Sequence, residues 1–185
     1  SLFYAEAHMD EGFICSYADI LYCDTVVKRA LAHPGDIVLC VDTDWRTRYA
    51  DRSQHPEDDA EKVIAEGDRI LHVHRNIPSE DASGEYIGVA KFTSAGAKWL
   101  REHYHKTRAG FAEKEWREGV VFEKAYLIHL FQAMLEEGVD FCLVTTDGEY
   151  MEIDTEESSG EIKQKKEIKL KNKKILEENQ DEKDK

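Results

Sequence analysis

Two short apolar runs, each free of strict polar alternation and each closing on an aspartate, restrict this chain more than any other feature. The first passes from Gly12 through Phe13, Ile14, Cys15, Ser16 and Tyr17 to Asp19, and the second from Asp36 through residues 37–41 to Asp42. A strand with one wet face alternates apolar and polar residues. Runs of this kind instead suit strands covered by helices on both faces, the arrangement of parallel sheets.

The remaining segments supply the covering helices. Residues 2–9 read as the end of a helix. Asp24 reads as the N-cap of a helix over residues 25–31, stopped by Pro34-Gly35. Residues 46–59 are polar and charged, hence loop. Residues 61–66 and 69–74 flank Gly67-Asp68 as a hairpin, and residues 85–92 form a further strand. Thr93 or Ser94 caps a helix containing Ala97, Trp99 and Leu100. A longer helix follows with Ala125, Leu127, Ile128, Leu130, Phe131, Met134 and Leu135 at helical spacing, ended by Gly138. Two strands, residues 141–144 and 150–154, flank a turn at Asp147-Gly148. Alternation of helices with buried strands predicts an α/β fold, a three-layer α/β/α sandwich with a mixed, mostly parallel sheet. Residues 1–157 form the domain, and 158–185 form a charged tail, disordered or transiently helical.

Charge and composition narrow the function. Glu156 to Lys185 carries nine acids and nine bases, so the whole net charge of −14 belongs to the residues before it. An acidic body argues against nucleic acid as partner, which needs a basic face; it is compatible with a divalent cation or a cationic substrate group, while charge alone favours simple solubility. No apolar run approaches the ~20 residues of a membrane span, and no basic-then-apolar leader opens the sequence, so the expected location is cytoplasmic. Cys15, Cys23, Cys40 and Cys142 lack CxxC spacing and read as buried free thiols.

Two acids stand out by position. Asp19 and Asp154 each end a buried strand, and ligands of open α/β sheets collect at strand carboxyl ends. Paired carboxylates suit Mg2+, which takes one or two of them together with phosphate oxygens. On pattern alone, aspartates at strand ends are more often turn formers or caps than metal ligands. The eight histidines show no metal-ligand spacing: His72 and His74 share a strand face, His103 and His105 lie on a helix, and His129 falls on an apolar stripe as a core residue.

The words around these acids resemble the sugar-nucleotidyltransferase-like enzymes. Ser16-Tyr17-Ala18-Asp19-Ile20-Leu21-Tyr22 is similar to the family segment whose aspartate binds the catalytic metal. Val41-Asp42-Thr43-Asp44-Trp45, Ala60-Glu61-Lys62-Val63, Gly84-Glu85-Tyr86-Ile87-Gly88 and Met151-Glu152-Ile153-Asp154-Thr155 follow in the family's order. The likeness is to the cytidylyltransferase branch acting on phosphocholine or 2-aminoethylphosphonate, a domain that also occurs fused to phosphoenolpyruvate mutase. It covers residues 1 to about 157. The resemblance implies transfer of CMP from CTP to a small phosphonate or phosphate acceptor, with release of pyrophosphate. Asp19 and Asp154 would hold Mg2+, which neutralises charge in the in-line displacement. Lys62 would assist an anionic group, or is a solvated strand residue. Trp45, which follows Asp42 and Asp44 in the same segment, would face a cationic head, or packs under a loop. Glu85 and Gly88 match the strand lining the acceptor pocket, where a glycine lets a ligand approach the backbone.

The sequence departs from the family at its start. The glycine-rich loop that cradles the triphosphate, with its arginine and following Pro-Lys, has no counterpart before Asp19. The expectation is a nucleotide-diphospho-sugar transferase-like fold lacking the first βα segment, inactive by itself. Two alternatives stand beside the cytidylyltransferase: a sugar-1-phosphate nucleotidyltransferase, and a non-catalytic binding domain that has lost the nucleotide loop.

Overall fold

In the computed structural model, which describes residues 2–49 and 57–152, the apolar runs become strands through the middle of the molecule. A 3-10 segment over Leu2–His8 leads into β1 (Phe13–Ser16) and β2 (Ile20–Tyr22), then α1 (Asp24–Ala32), β3 (Ile37–Asp42) and the short α2 (Trp45–Tyr49). After a 3-10 turn at Glu57–Asp59 come the hairpin β4 (Lys62–Glu66) and β5 (Arg69–His74), then β6 (Gly84–Phe92) and α3 (Ser94–Phe111). A second hairpin, β7 (Glu115–Arg117) and β8 (Val120–Val121), precedes α4 (Leu127–Glu136), β9 (Cys142–Thr146) and β10 (Tyr150–Glu152). The tail after 157, the boundary placed before it and Asp154 lie outside the described residues. No helix among those described is long and apolar enough to cross a membrane.

Burial fixes the middle of the sheet. All six residues of β3 and all nine of β6 are buried. Alternate side chains leave a strand on opposite faces, and here they enter two separate cores. Leu39, Val41, Tyr86, Ala90 and Phe92 join Ala97 and Leu100 of α3 and Ile128, Phe131 and Met134 of α4. Cys40, Ile87 and Val89 face the other way, against Val26 and Ala30 of α1. Helices therefore cover both faces, as the uninterrupted apolar runs require.

Strand direction differs from the expectation of a mostly parallel sheet. The strand order is β1-β6-β3-β9-β5-β4, and β4 also pairs with β6, so five of the six strands close into a ring with β1 outside it. Among the described residues only the β3–β9 ladder is parallel. An apolar run reports burial on two faces and carries no information about the direction of its neighbours; β6 is wholly buried between antiparallel partners. β1 is an edge strand with one buried residue. The strands beside the Asp147-Gly148 turn do not pair with each other: β10 pairs with β2, setting Glu152 opposite Ile20.

Helix ends follow local chemistry. Thr93 Oγ1 accepts the Gly96 N–H at 3.3 Å, the expected cap of α3. Cys23 rather than Asp24 occupies the N-cap of α1 and offers no side-chain bond; Asp24 sits in the first turn and pairs with Lys28. The α4 helix, expected to be the longer one, has 10 residues against 18 in α3, which runs on past Leu100 to Phe111, while Tyr126 takes the N-cap of α4 and leaves Ala125 outside. Gly138 ends it at φ +86°. The four cysteines are free thiols, but only Cys15 and Cys40 are buried; Cys142 is partly buried, and Cys23 is exposed at the start of α1.

Candidate active site

A slip in register opens the sheet at one point. Leu39 pairs with Ala90 and Val41 with Tyr86, so β6 spends four residues where β3 spends two, with Gly88 in the bulge at φ +75°. On the other edge of β6, β1 ends opposite Val89 and β4 begins opposite Glu85. Between them Tyr17 N–H donates to Gly88 O at 2.9 Å and Tyr86 N–H to Glu61 O at 2.8 Å. A cavity of about 320 Å³ lies over this gap. The bulge and the ends of β1 and β4 bring Tyr17, Glu61, Glu85 and Gly88 to its wall, which Tyr49, Asp59, Arg75, Tyr126, Tyr150 and Glu152 also line. Bulges recur beside active sites because they re-aim side chains in this way.

The wall is acidic and rich in hydroxyls. Glu85 is buried and accepts hydrogen bonds from Tyr150 Oη at 2.8 Å and from Tyr49 Oη. Burial pushes its carboxyl up to about 7 against the pull of the two tyrosines, with Glu152 and Asp42 adding to the rise. Glu61, also buried, accepts from Tyr17 Oη at 2.9 Å and lies 3.4 Å from Arg75 Nη2. Its carboxyl is likewise raised by burial, more than Tyr17 and Arg75 lower it. The Tyr17 phenol is driven upward by burial and by Glu61, so it acts as a donor and not as a base. Such a cavity offers a cation several ionisable carboxylates and few competing positive charges.

The sequence-derived residues divide. Glu85 and Gly88 line the cavity, though the group that Gly88 admits at close range is the ring of Tyr17. Asp19 lies in the exposed turn between β1 and β2, one residue before Ile20, which faces Glu152 across the small ladder. Asp154 falls outside the described residues. Lys62 is buried, its ammonium donates to Arg75 O at 2.6 Å, and the carboxylates of Asp58, Glu57 and Glu85 act on its charge. Trp45 is 3% exposed and not in the cavity wall; Arg46 lies over its ring at 5.5 Å and Tyr49 meets it edge-on. The packing of a large ring under the α2 turn outweighs its availability to a ligand. Asp42 is buried and accepts the Asp44 N–H at 3.0 Å, while Asp44 accepts Thr47 Oγ1 at 2.7 Å, so both organise the loop into α2. Sequence reasoning missed Glu61, Arg75 and the tyrosines Tyr17, Tyr126 and Tyr150 as wall residues.

A second grouping joins His74, Glu118 and His129, whose ligand-type atoms lie within 4.8 Å of one another. Its hydrogen bonds give it another role. Nδ1 of His74 accepts the Asn76 N–H at 2.9 Å and Nδ1 of His129 accepts the Tyr126 N–H at 3.2 Å. With both Nδ1 lone pairs occupied, each neutral ring carries its proton on Nε2 and directs it at Glu118. A metal would need those Nε2 lone pairs, so the geometry is that of a latch tying the β7–β8 turn to β5 and α4. Burial lowers the His129 pKa more than Glu118 raises it. A folded value below the unfolded one leaves the associated stability intact above about pH 6.5 and removes it as pH falls below that. The expected result is that stability from pH 7.5 to 5.5 falls less steeply in His129→Gln than in the parent, by at most ~1.4 kcal/mol per pH unit. Parallel slopes in denaturant titrations at each pH would contradict this.

The chain is similar to known proteins in sequence and in fold. No protein-family model matches it. It is 25% identical over 145 residues to a CTP:phosphoglutamine cytidylyltransferase of Campylobacter jejuni, a match covering 78% of this chain and 56% of that protein. The chain thus spans little more than half the length of this curated relative. Among solved structures it superposes on the inositol-1-phosphate CTP transferase of T. maritima with a TM-score of 0.59 at 20% identity, covering 85% of this chain and 55% of that one. A nucleoside-diphosphate-sugar pyrophosphorylase of Vibrio cholerae gives a TM-score of 0.53 at 13% identity, covering 82% and 55%. The chain shares its fold with these two structures.

Proposed function

We propose that this chain carries the acceptor side of an enzyme that moves CMP from CTP to a small phosphate or phosphonate bearing an amine, with release of pyrophosphate. The observation that supports the acceptor side is the cavity under the β6 bulge, where Glu61, Glu85 and Glu152 converge with tyrosine hydroxyls. The sequence match to a cytidylyltransferase supports the choice of CTP. In this reading the ammonium of the acceptor sits among the carboxylates, with Glu85 as its main counterion and Tyr49 and Tyr150 fixing the orientation of that carboxylate. The phosphate end points to the β1–β2 turn. Asp19 is exposed there, and no described residue bonds to or pairs with its carboxylate, which is the hard oxygen donor that Mg2+ prefers. Asp19 and Asp154 would hold that ion, which supplies charge neutralisation at the reacting phosphates.

The test is a pyrophosphate-release assay on the protein in its natural length, with CTP, UTP and GTP against phosphoethanolamine, 2-aminoethylphosphonate, phosphocholine and sugar 1-phosphates. Turnover is expected with CTP and an amine-bearing acceptor. Because Glu85 titrates near 7, the KM for that acceptor is expected to fall as pH rises from 6 to 8, by up to about tenfold for one carboxylate gaining its charge. Glu85→Gln should flatten that profile. Turnover with sugar 1-phosphates alone would replace the acceptor assignment, and no turnover with any pair would favour a binding domain.

A further inference from the structure

An ammonium entering this cavity meets acids that already have a cation. Among the described residues of the wall Arg75 alone is basic, set beside Asp59, Glu61, Glu85 and Glu152. Its guanidinium draws the Glu61 carboxyl down against the rise that burial imposes, so in the empty protein it serves as counterion to acids that a ligand would use. Two positive charges in one small cavity repel, and each weakens the hold of the acids on the other. The arriving cation therefore competes with the resident one.

The two ends of Arg75 are held differently. Its carbonyl accepts the Lys62 ammonium at 2.6 Å, which anchors the backbone. The head is looser: Nη2 lies 3.4 Å from Glu61 Oε1, whereas charge-assisted bonds formed well close to about 2.7–2.9 Å. Its Nε is buried with no hydrogen-bond partner, a costly state that ends if the head turns to water. The remaining support is the Tyr126 ring, with the guanidinium over it at 4.0 Å. That ring lines the cavity and is also half-exposed, so it offers the guanidinium an aromatic face outside the acids as well.

We propose that Arg75 is a displaceable counter-cation, which neutralises the acidic cavity while it is empty and moves its head group outward when the ammonium of the acceptor enters. This rests on the reading of the cavity as an ammonium site. The arrangement sets specificity. A ligand that brings a positive charge replaces what the acids lose, whereas a neutral hydroxyl of the same size does not, and the arginine keeps its place against it.

Ethanolamine carries the ammonium without phosphate or nucleotide, so its titration at pH 8, where Glu85 is charged, tests the displacement apart from the chemistry. Calorimetry on the protein in its natural length is expected to show ethanolamine binding about tenfold more tightly to Arg75→Gln than to the parent, and inorganic phosphate binding equally to both. Arg75→Lys keeps a resident charge and should stay within about threefold of the parent. The movement itself is read in the parent by nitrogen NMR of the arginine Nε–H, assigned by its loss in Arg75→Lys. That proton should be protected from solvent exchange in the empty protein and exchange freely once ethanolamine is bound. Ethylene glycol, the neutral analogue, should leave it protected. The measurement on the parent stands whether or not Arg75→Gln folds, which a melting curve checks. The inference is overturned if Arg75→Gln binds ethanolamine no more tightly than the parent, or if the Nε–H stays protected in the complex. A loss of phosphate binding in Arg75→Gln would also overturn it, by making the guanidinium an anion contact. Displacement of Arg75 without pyrophosphate release from CTP would sink the proposed activity and keep this assignment. Turnover with an amine-bearing acceptor while the Nε–H stays protected would do the reverse.

Discussion

Replacing Asp19 with alanine is expected to abolish pyrophosphate release and leave the melting temperature within about a degree of the parent. The two halves of this expectation have different physical origins. The Asp19 side chain is exposed in a turn, and no described residue bonds to it or pairs with it, so its removal costs little folding energy. A carboxylate that holds Mg2+ at the reacting phosphates shares in several kcal/mol of charge stabilisation, which corresponds to a rate loss of about a thousandfold or more. A second readout does not depend on turnover. Titration with Mn2+ followed by electron paramagnetic resonance should show a bound ion in the parent and a much weaker one in Asp19→Ala. Asp19→Asn, which keeps the shape and loses the charge, should behave like the alanine variant. Activity of Asp19→Ala within tenfold of the parent would remove this residue from the chemistry and leave the turn as a connector.

The contrast between Asp19 and Trp45 shows what a sequence can and cannot say about a site. Both were singled out by the company they keep. For Asp19 the company is local, a strand end followed by a turn, and the chain places it in such a turn. For Trp45 the neighbouring acids suggested a cation site, but a large ring follows apolar burial, and Asp42 and Asp44 are consumed in shaping the loop around it. Arg75 had no signal of its own. It follows β5 directly, and nothing in a linear pattern distinguishes an arginine turned to solvent from one stacked on Tyr126, some fifty positions away in the chain. Its acid partner Glu61 becomes a neighbour only because the β4–β5 hairpin folds back. The strands β3 and β6 were legible because their burial is complete, whereas their directions depend on connections that no single run encodes. The β7–β8 hairpin could have been found from Glu118-Gly119, where both residues take positive φ as a two-residue turn demands, but glutamate is an uncommon residue there and hides the signal.

Gly88→Ala is expected to be the most destabilising of the substitutions considered, by about 2–4 kcal/mol, and to damage the cavity as well. Gly88 sits at φ +75°, where an L side chain is strained whatever space surrounds it. Space is also missing: a Cβ added there would press on Tyr17 Cδ2 and lie 2.7 Å from its Cγ. Tyr17 has little freedom to retreat. Its ring meets Tyr86 edge-on at 5.9 Å, its hydroxyl is bonded to Glu61 at 2.9 Å, and its N–H is bonded to Gly88 O at 2.9 Å. Moving the ring would strip Glu61 of its donor and leave a buried carboxylate with only the long contact to Arg75, so the alanine methyl propagates from the sheet into the acceptor wall. For a domain of this size the loss should appear as a fall of roughly 5–15 °C in melting temperature. A double-mutant cycle separates the two causes. Tyr17→Ala removes the colliding ring, and if the collision is as described, the Gly88→Ala/Tyr17→Ala protein should be more stable than the sum of the single changes allows, by at least about 1 kcal/mol. The part that remains in the double variant measures the backbone strain. Strict additivity would mean that the bulge relaxes around the new methyl, and that Tyr17 is not held against β6 as tightly as its hydrogen bonds imply.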